Sequence, residues 1–185
     1  MDLVYELIAF IVMVVVAEKL FKAWEIRAKV VQTRINVLKV ITKHECFGMF
    51  KEEPAKFEDW VGVLLELKGY RKVIVTSRQD DGGKDIVATD RTGKKTFVEC
   101  KLWDPDNWEI NVGRPDAQKL VGAMVVAGIN QGLVVTTANL TEKAKQYIKE
   151  VNSLGYHVQF IEGDALMREL YDLREIKLKP LLESV

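Results

Sequence analysis

Cysteine is scarce in this chain: Cys46 and Cys100 are the only two among 185 residues. Two cysteines cannot build a disulfide framework, and their spacing is not that of a zinc knuckle. A reducing compartment is the simplest setting for them. Four prolines and twelve glycines exclude collagen-like and linker-type repeats. The two histidines, His44 and His157, have no partner near them in sequence, so a histidine-built metal site is not expected. Net charge is absent too, with 27 Lys+Arg against 27 Asp+Glu. Nucleic acid is neither favoured nor excluded by that balance; any basic surface has to be local. What is present is ordinary for a folded protein: 48% hydrophobic and 29% charged residues argue against disorder. The length allows one domain of usual size with a short extension.

Long apolar runs are also few. Residues 7–17, LIAFIVMVVVA, are eleven apolar residues without a charge, well short of the roughly 20 that span a bilayer. Stretched to Leu3–Trp24, the segment can be read as a membrane anchor. Glu6, Glu18, Lys19 and Lys22 then sit near its ends, with Tyr5 and Trp24 at the interfaces. Lys19, Lys22, Arg27, Lys29, Arg34, Lys39 and Lys43 all follow the run, so the positive-inside rule puts the N-terminus outside and the rest in the cytoplasm, as a single-pass protein. Asp2 and Glu6 ahead of the run, and no small-x-small site after it, argue against a signal peptide. A second reading uses the same residues. Leu3, Leu7, Phe10, Val14, Ala17, Phe21, Trp24, Ala28, Val31, Ile35 and Leu38 alternate at spacings of four and three, an a/d heptad stripe. That suits a dimerising coiled coil in a cytoplasmic protein, or a helix packed on the domain that follows, and a span can also continue into a juxtamembrane coiled coil. Both readings expect one long helix over residues 1–47, because no proline or glycine interrupts residues 2–47.

Residues 48–56, GMFKEEPAK, read as a linker punctuated by Gly48 and Pro54. A compact domain over 57–175 and a tail over 176–185 follow. Residues 55–68 carry a helical apolar stripe closed by Gly69, and 71–77 read as a strand. Gln79–Gly83 is a turn. Residues 84–89 and 95–102 are strands joined by the hairpin turn Asp90–Lys94. Residues 103–113 are irregular. Then come a helix (114–128), a buried strand (132–137), a helix opened by Thr141 (141–153), a strand (157–161) and a helix capped by Asp164 (163–174). The fold class is α/β, in the order αβββαβαβα. An antiparallel meander leads into parallel strands, with helices on both faces of a mixed sheet.

The chemistry falls on the hairpin. Glu99 and Lys101 are two residues apart in a strand, so they share a face. A turn centred near Thr92 brings Asp85 opposite Glu99 to within one residue, with Cβ atoms roughly 4.5–5.5 Å apart. Two carboxylates that close repel unless a cation or proton lies between them. Mg²⁺ fits, since it accepts one or two carboxylates and keeps several waters, and Mn²⁺ is expected to substitute. Lys101 beside the ion would activate a water or stabilise a phosphorane-like transition state. The spacing alone is also that of any charged hairpin. It gains weight because the charges interrupt apolar strands, where charge is expensive. Asp81-Gly82-Gly83 permits a sharp turn just before Asp85, and Glu58 on the preceding helix can face the same cleft.

These stretches resemble the Mrr-type restriction endonuclease family of the PD-(D/E)xK superfamily. The match runs through FEDWVGVLLELKGY (57–70), DDGGKDIVA (80–88), VECK (98–101), VGRPDAQKLVGAM (112–124), GLVVTTANLTEKA (132–144) and IEGDALM (161–167), in the family's order. The resemblance implies a metal-dependent DNA endonuclease of restriction or defence type with an αβββαβ core. It implies Asp85 and Glu99 as metal ligands, the backbone carbonyl of Cys100 as a further ligand and Lys101 as the catalytic lysine. Glu58 would take a lesser metal-orienting role, and Gln118 matches a polar position near the cleft. The family often carries a separate winged-helix DNA-recognition domain, and none is read in the first 50 residues. Duplex cutting implies two active sites and hence a homodimer. Two other readings share the pattern: a structure-specific nuclease of the Holliday-junction-resolvase type, and a membrane-bound interaction protein that has lost catalysis.

Lys84, Arg91, Lys94, Lys95, Arg114 and Lys119 cluster in sequence around the site and are candidates for phosphate contacts. Trp103 and Trp108 suit either base stacking or packing. The Cys100 side chain faces away from Glu99 and Lys101 and reads as core.

Overall fold

The structure is a computed structural model that describes residues 2–76, 82–107 and 111–177, with the side chains of residues 2–4 and 9 left aside. Trp108, the first part of the Gln79–Gly83 turn and most of the expected C-terminal tail lie outside the described residues. The chain divides into two units, Met1–Asn36 and Val37–Val185.

Helix α1 (Asp2–Lys39) makes up the first unit and enters the second. Its described side chains from Tyr5 to Arg34 are all exposed. The expectation of a single-pass membrane protein does not hold: among the described residues no helix is long and apolar enough to cross a membrane. The reason is charge. Any stretch of about twenty residues, the length a span needs, that contains the apolar run also takes in at least three of Asp2, Glu6, Glu18, Lys19 and Lys22.

The expected single helix over 1–47 is two helices. A second one, α2 (Lys43–Phe50), begins after a three-residue break. No proline or glycine is needed for the break, because Thr42 and Glu45 cap reciprocally. The Thr42 backbone is extended (φ −124°, ψ 153°). Its hydroxyl accepts the Glu45 N–H at 3.1 Å, and the Glu45 carboxylate accepts the Ile41 N–H at 2.9 Å. The turn also buries Val37, Leu38, Val40, Cys46 and Phe50 in the core of the second unit. Phe50 meets Phe57 and Trp60 at ring distances of 6.1 Å each. Within residues 48–56 only Phe50, at the end of α2, is buried.

Helix α3 (Ala55–Leu67) buries the expected stripe of Phe57, Trp60, Val61, Leu64 and Leu65. Strands β1 (Arg71–Val75), β2 (Ile86–Thr89) and β3 (Lys95–Lys101) form the antiparallel meander. Crossover helices α4 (Arg114–Val126) and α5 (Glu142–Ser153) lead to β4 (Gln131–Thr136) and β5 (His157–Ile161), which extend the sheet in parallel. Strand order is β1-β2-β3-β4-β5. Helix α6 (Gly163–Lys177) closes the described chain and runs past the expected end at 174. Asp164 does not spend its carboxylate on a cap; it pairs with Lys43 of α2 at 2.9 Å, and that ammonium holds it below the usual carboxylate range.

Two apolar layers sandwich the sheet. On one face α2, α3 and α6 cover Ile86, Val98, Cys100, Leu133 and Val135. On the other, α4 and α5 cover Phe97, Val134 and Val158. Strand alternation sends Val98 and Cys100 to the first layer and Phe97, Glu99 and Lys101 to the second. The mixed α/β sheet and helices on both faces agree with the fold class read from the sequence.

Candidate active site

The hairpin between β2 and β3 is fixed at its turn. Asp90 Oδ1 accepts the N–H groups of Thr92 at 2.8 Å and Lys94 at 2.9 Å, and Gly93 takes φ +86°. From there the register runs Thr89↔Lys95 to Ile86↔Val98. The Asp85 N–H donates to the Val98 carbonyl at 2.8 Å, which continues the pairing and sets Asp85 against Glu99. Asp85 Oδ2 accepts the Cys100 N–H at 2.6 Å.

Glu99 and Lys101 meet on the α4 face. Lys101 Nζ lies 2.8 Å from Glu99 Oε1. Two residues of α4 join them: Asp116 Oδ1 is 3.6 Å from Lys101 Nζ, and Lys119 Nζ is 3.7 Å from Glu99 Oε1. The result is a chain of alternating charge, Asp116–Lys101–Glu99–Lys119. Asp116 and Lys119 are one turn apart on the helix, so they share a side of it. Asp116 is steadied by the Gly113 N–H at the head of α4, which donates to its Oδ2 at 2.9 Å.

Glu99 is fully buried, and neither of its oxygens has a hydrogen-bond partner of good geometry among the described residues. Burial raises its pKa, the neighbouring Asp85 raises it further, and the two lysines only partly offset them. For Lys101, burial works against the charged form. The 2.8 Å contact with Glu99 and the charges of Glu99, Asp116 and Asp85 outweigh it, and its pKa is held above the usual lysine value. Lys101 is thus an ammonium at neutral pH. The Cys100 thiol is pushed far up by burial and then by Asp85, Glu58 and Glu99, so it is inert core.

The remaining sequence candidates are dispersed. Glu58 is carried by α3 in the layer against Cys100, whose thiol feels its charge. Gln118 lies on α4 but is exposed, and it takes no part in the chain of charges. Lys84 and Lys95 sit over the Phe97 ring at 5.2 and 5.8 Å, on the face of Glu99. Arg114 stacks on Tyr147 at 5.0 Å. Arg91 is drawn off to the Lys68 carbonyl at the far end of the hairpin, 2.6 Å away. His44 pairs with Asp106 at 2.8 Å. Asp116 was not among the sequence candidates. Its one signal was an acidic residue three positions after Gly113, at the third position of a helix with proline at its start.

Among the described residues no three His, Cys, Asp or Glu side chains converge tightly enough to hold a metal by themselves. The donor set still suits a hard cation that keeps most of its waters. It offers a buried carboxylate lacking good hydrogen bonds, faced by a second carboxylate. The cavity of about 420 Å³ lined by Lys68, Tyr70, Phe160 and Glu169 is elsewhere.

A family model described as restriction endonuclease, Mrr_cat, matches residues 50–170. The type IV methyl-directed restriction enzyme EcoKMrr of Escherichia coli (strain K12) is 30% identical over 129 residues, 65% of this chain and 38% of that enzyme. The chain thus spans well under half the length of this curated relative. A solved structure of a protein of unknown function, AF1548, aligns with a TM-score of 0.41 at 20% identity, covering 60% of this chain and 63% of its own.

Proposed function

The chain belongs to the restriction endonuclease family whose model spans residues 50–170, and from that premise we propose that it is a divalent-metal-dependent endonuclease hydrolysing phosphodiester bonds of DNA in restriction or defence. The observation that carries the reading is Glu99, a fully buried carboxylate without good hydrogen bonds, set against Asp85 and bridged to Lys101. Two carboxylates set that close, one of them fully buried, repel each other, and a divalent cation between them offsets that repulsion more fully than the lysines do. Asp85, Glu99 and the Cys100 carbonyl would hold Mg²⁺ or Mn²⁺, with Glu58 orienting the set. The ion would supply Lewis-acid stabilisation of charge developing on the scissile phosphate.

The protein's own groups do the rest. Lys101 is held protonated by its carboxylate neighbours. Beside the two carboxylates it is placed to polarise the attacking water or to neutralise the charge that develops at phosphorus. Lys84 and Lys95, propped on Phe97, and Lys119 at the head of the site line the face a phosphate backbone would follow. Gln118, exposed on the same helix, is assigned to substrate contact. Duplex cutting requires two such sites. The exposed α1 stripe of Leu7, Phe10, Val14, Phe21, Trp24 and Val31 is assigned to a second copy of the chain. A monomer at every concentration in analytical ultracentrifugation would remove that dimer.

The deciding experiment is a cleavage panel. Wild type, Asp85→Asn and Lys101→Met are incubated with unmodified, methylated and four-way-junction DNA, with Mg²⁺, with Mn²⁺ and with chelator. Cleavage by the wild type alone, and only with metal, is expected. The methylated arm tests whether the methyl-directed activity named for the relative extends to this chain. Equal cutting by wild type and both variants, or cutting in chelator, would remove the assignment.

A further inference from the structure

Two ammonium groups converge on one oxygen of Glu99, and they are not equivalent. Lys101 lies 2.8 Å from Oε1 and is also drawn by Asp116 at 3.6 Å. Lys119 reaches the same oxygen at 3.7 Å, and its side chain is 42% exposed against 22% for Lys101. It is thus the more exposed of the two ammonium groups on that carboxylate.

The turn that carries Lys119 is built into the site. Gly83 is buried with φ +89°, a conformation that side chains disfavour. It lies directly on α4: a Cβ there would come 3.1 Å from the Lys119 carbonyl and 3.4 Å from Lys119 Cγ. The glycine that leads the chain into Asp85 therefore also seats the Lys119 turn beside the two carboxylates. A charge at that place has a definite effect. It satisfies part of Glu99 when no other cation is near, and it repels any cation that approaches Asp85 and Glu99.

We propose that Lys119 is an internal counter-ion that competes with the divalent cation for Glu99. In the metal-free protein its ammonium offsets the buried charge. When a cation enters, it withdraws toward solvent, where a DNA phosphate oxygen is the natural partner for it. Lys101 does not act this way, because it is the more buried of the two and lies closer to Glu99. Lys119 is thus a positioning residue for the cation site, and its role rests on the reading of Asp85 and Glu99 as cation ligands.

The test is calorimetric titration of the full chain with Mn²⁺ alone, without DNA, for wild type, Lys119→Gln, Lys119→Arg, Asp85→Asn and the double variant Asp85→Asn/Lys119→Gln. Removing one unit charge about 4 Å from a buried ligand oxygen should tighten Mn²⁺ binding by about fivefold or more in Lys119→Gln, fivefold being the figure for a fully water-like surrounding. Lys119→Arg keeps the charge and should stay close to wild type. Binding should vanish in Asp85→Asn and in the double variant. Detectable binding in Lys119→Gln alone would also support the proposal. If wild type binds Mn²⁺ in an Asp85-dependent way and Lys119→Gln binds equally or more weakly, the competitor role is overturned and the cation site stands. Heat that survives Asp85→Asn, or is missing from every protein, overturns the cation site and the competitor with it.

Discussion

Asp85 reaches across the hairpin to the backbone of Cys100, whose N–H it binds at 2.6 Å through Oδ2. One carboxylate oxygen therefore has a structural duty, and it ties β2 to β3 between the positions of Glu99 and Lys101. Removing Asp85 removes an acceptor as well as a charge. Asp85→Ala leaves a buried N–H unpaired and should lose about 1–3 kcal/mol of stability. Asp85→Asn keeps an acceptor and should lose much less. Urea denaturation of the two variants checks this, and equal stability would mean that the bond contributes nothing. For cleavage assays Asn is accordingly the cleaner substitution.

The local part of this site is legible in the sequence, and the non-local part is not. The partnership of Asp85 and Glu99 follows from a turn whose chemistry is explicit: an Asp90 carboxylate that gathers two N–H groups and a glycine at φ +86°. Strand alternation then puts Glu99 and Lys101 on one side. Asp116 and Lys119 join only because α4 crosses over β3, a tertiary packing that no spacing in residues 99–119 announces. The break at Val40–Thr42 was hidden for another reason. Helix ends are usually sought at proline or glycine, whereas here the end is made by Thr42 and Glu45. The membrane reading needs Glu6, Glu18, Lys19 and Lys22 to lie at the ends of the span, and a window of span length takes in at least three such charges.

Glu99 carries a stability penalty that depends on pH. Its folded pKa is raised by burial and by Asp85. A raised acid binds its proton more tightly in the folded state, so stability falls as pH rises above the unfolded value of about 4.3. Glu99→Gln removes that loss while Lys101 keeps Asp116 and partial access to water. Without metal at pH 7 the variant should melt higher by roughly 2–4 °C. The gap should close as pH falls into the carboxylate range. Scanning calorimetry over pH 4–8 tests both features. A variant that melts lower than wild type at pH 7 would show that the lysines more than compensate the buried charge.

Lys101 and Glu99 should also be thermodynamically coupled. Lys101→Met leaves the buried carboxylate with Asp85 beside it and, among the described residues, the more distant Lys119, at 3.7 Å, as its cation. The single variant should lose about 2 kcal/mol, less than a wholly buried pair would because the carboxylate can take up a proton. Adding Glu99→Gln should recover most of that loss. A double-mutant cycle by urea denaturation measures it, and additive effects would mean that the 2.8 Å contact does not hold in solution.

The same substitution should have opposite effects at two glycines. Gly163 opens α6, and a Cβ there would run into the Thr137 carbonyl oxygen. The Thr137 hydroxyl accepts the Trp103 N–H at 3.0 Å and donates to the Trp103 carbonyl at 2.6 Å, so it holds the loop that leaves Lys101. Gly163→Ala has to push backbone aside, and should lose about 3 kcal/mol, the upper end for overpacking, and weaken cleavage through that loop. Gly122 is exposed within α4, and a Cβ there meets nothing within 4 Å. Gly122→Ala only exchanges a poor helix former for a good one, and should gain up to about 1 kcal/mol. Thermal melts of the two variants in the same buffer decide the pair. A neutral Gly163→Ala would mean that α6 starts further from Thr137 than described, and the link from that helix to the Lys101 loop would fall with it.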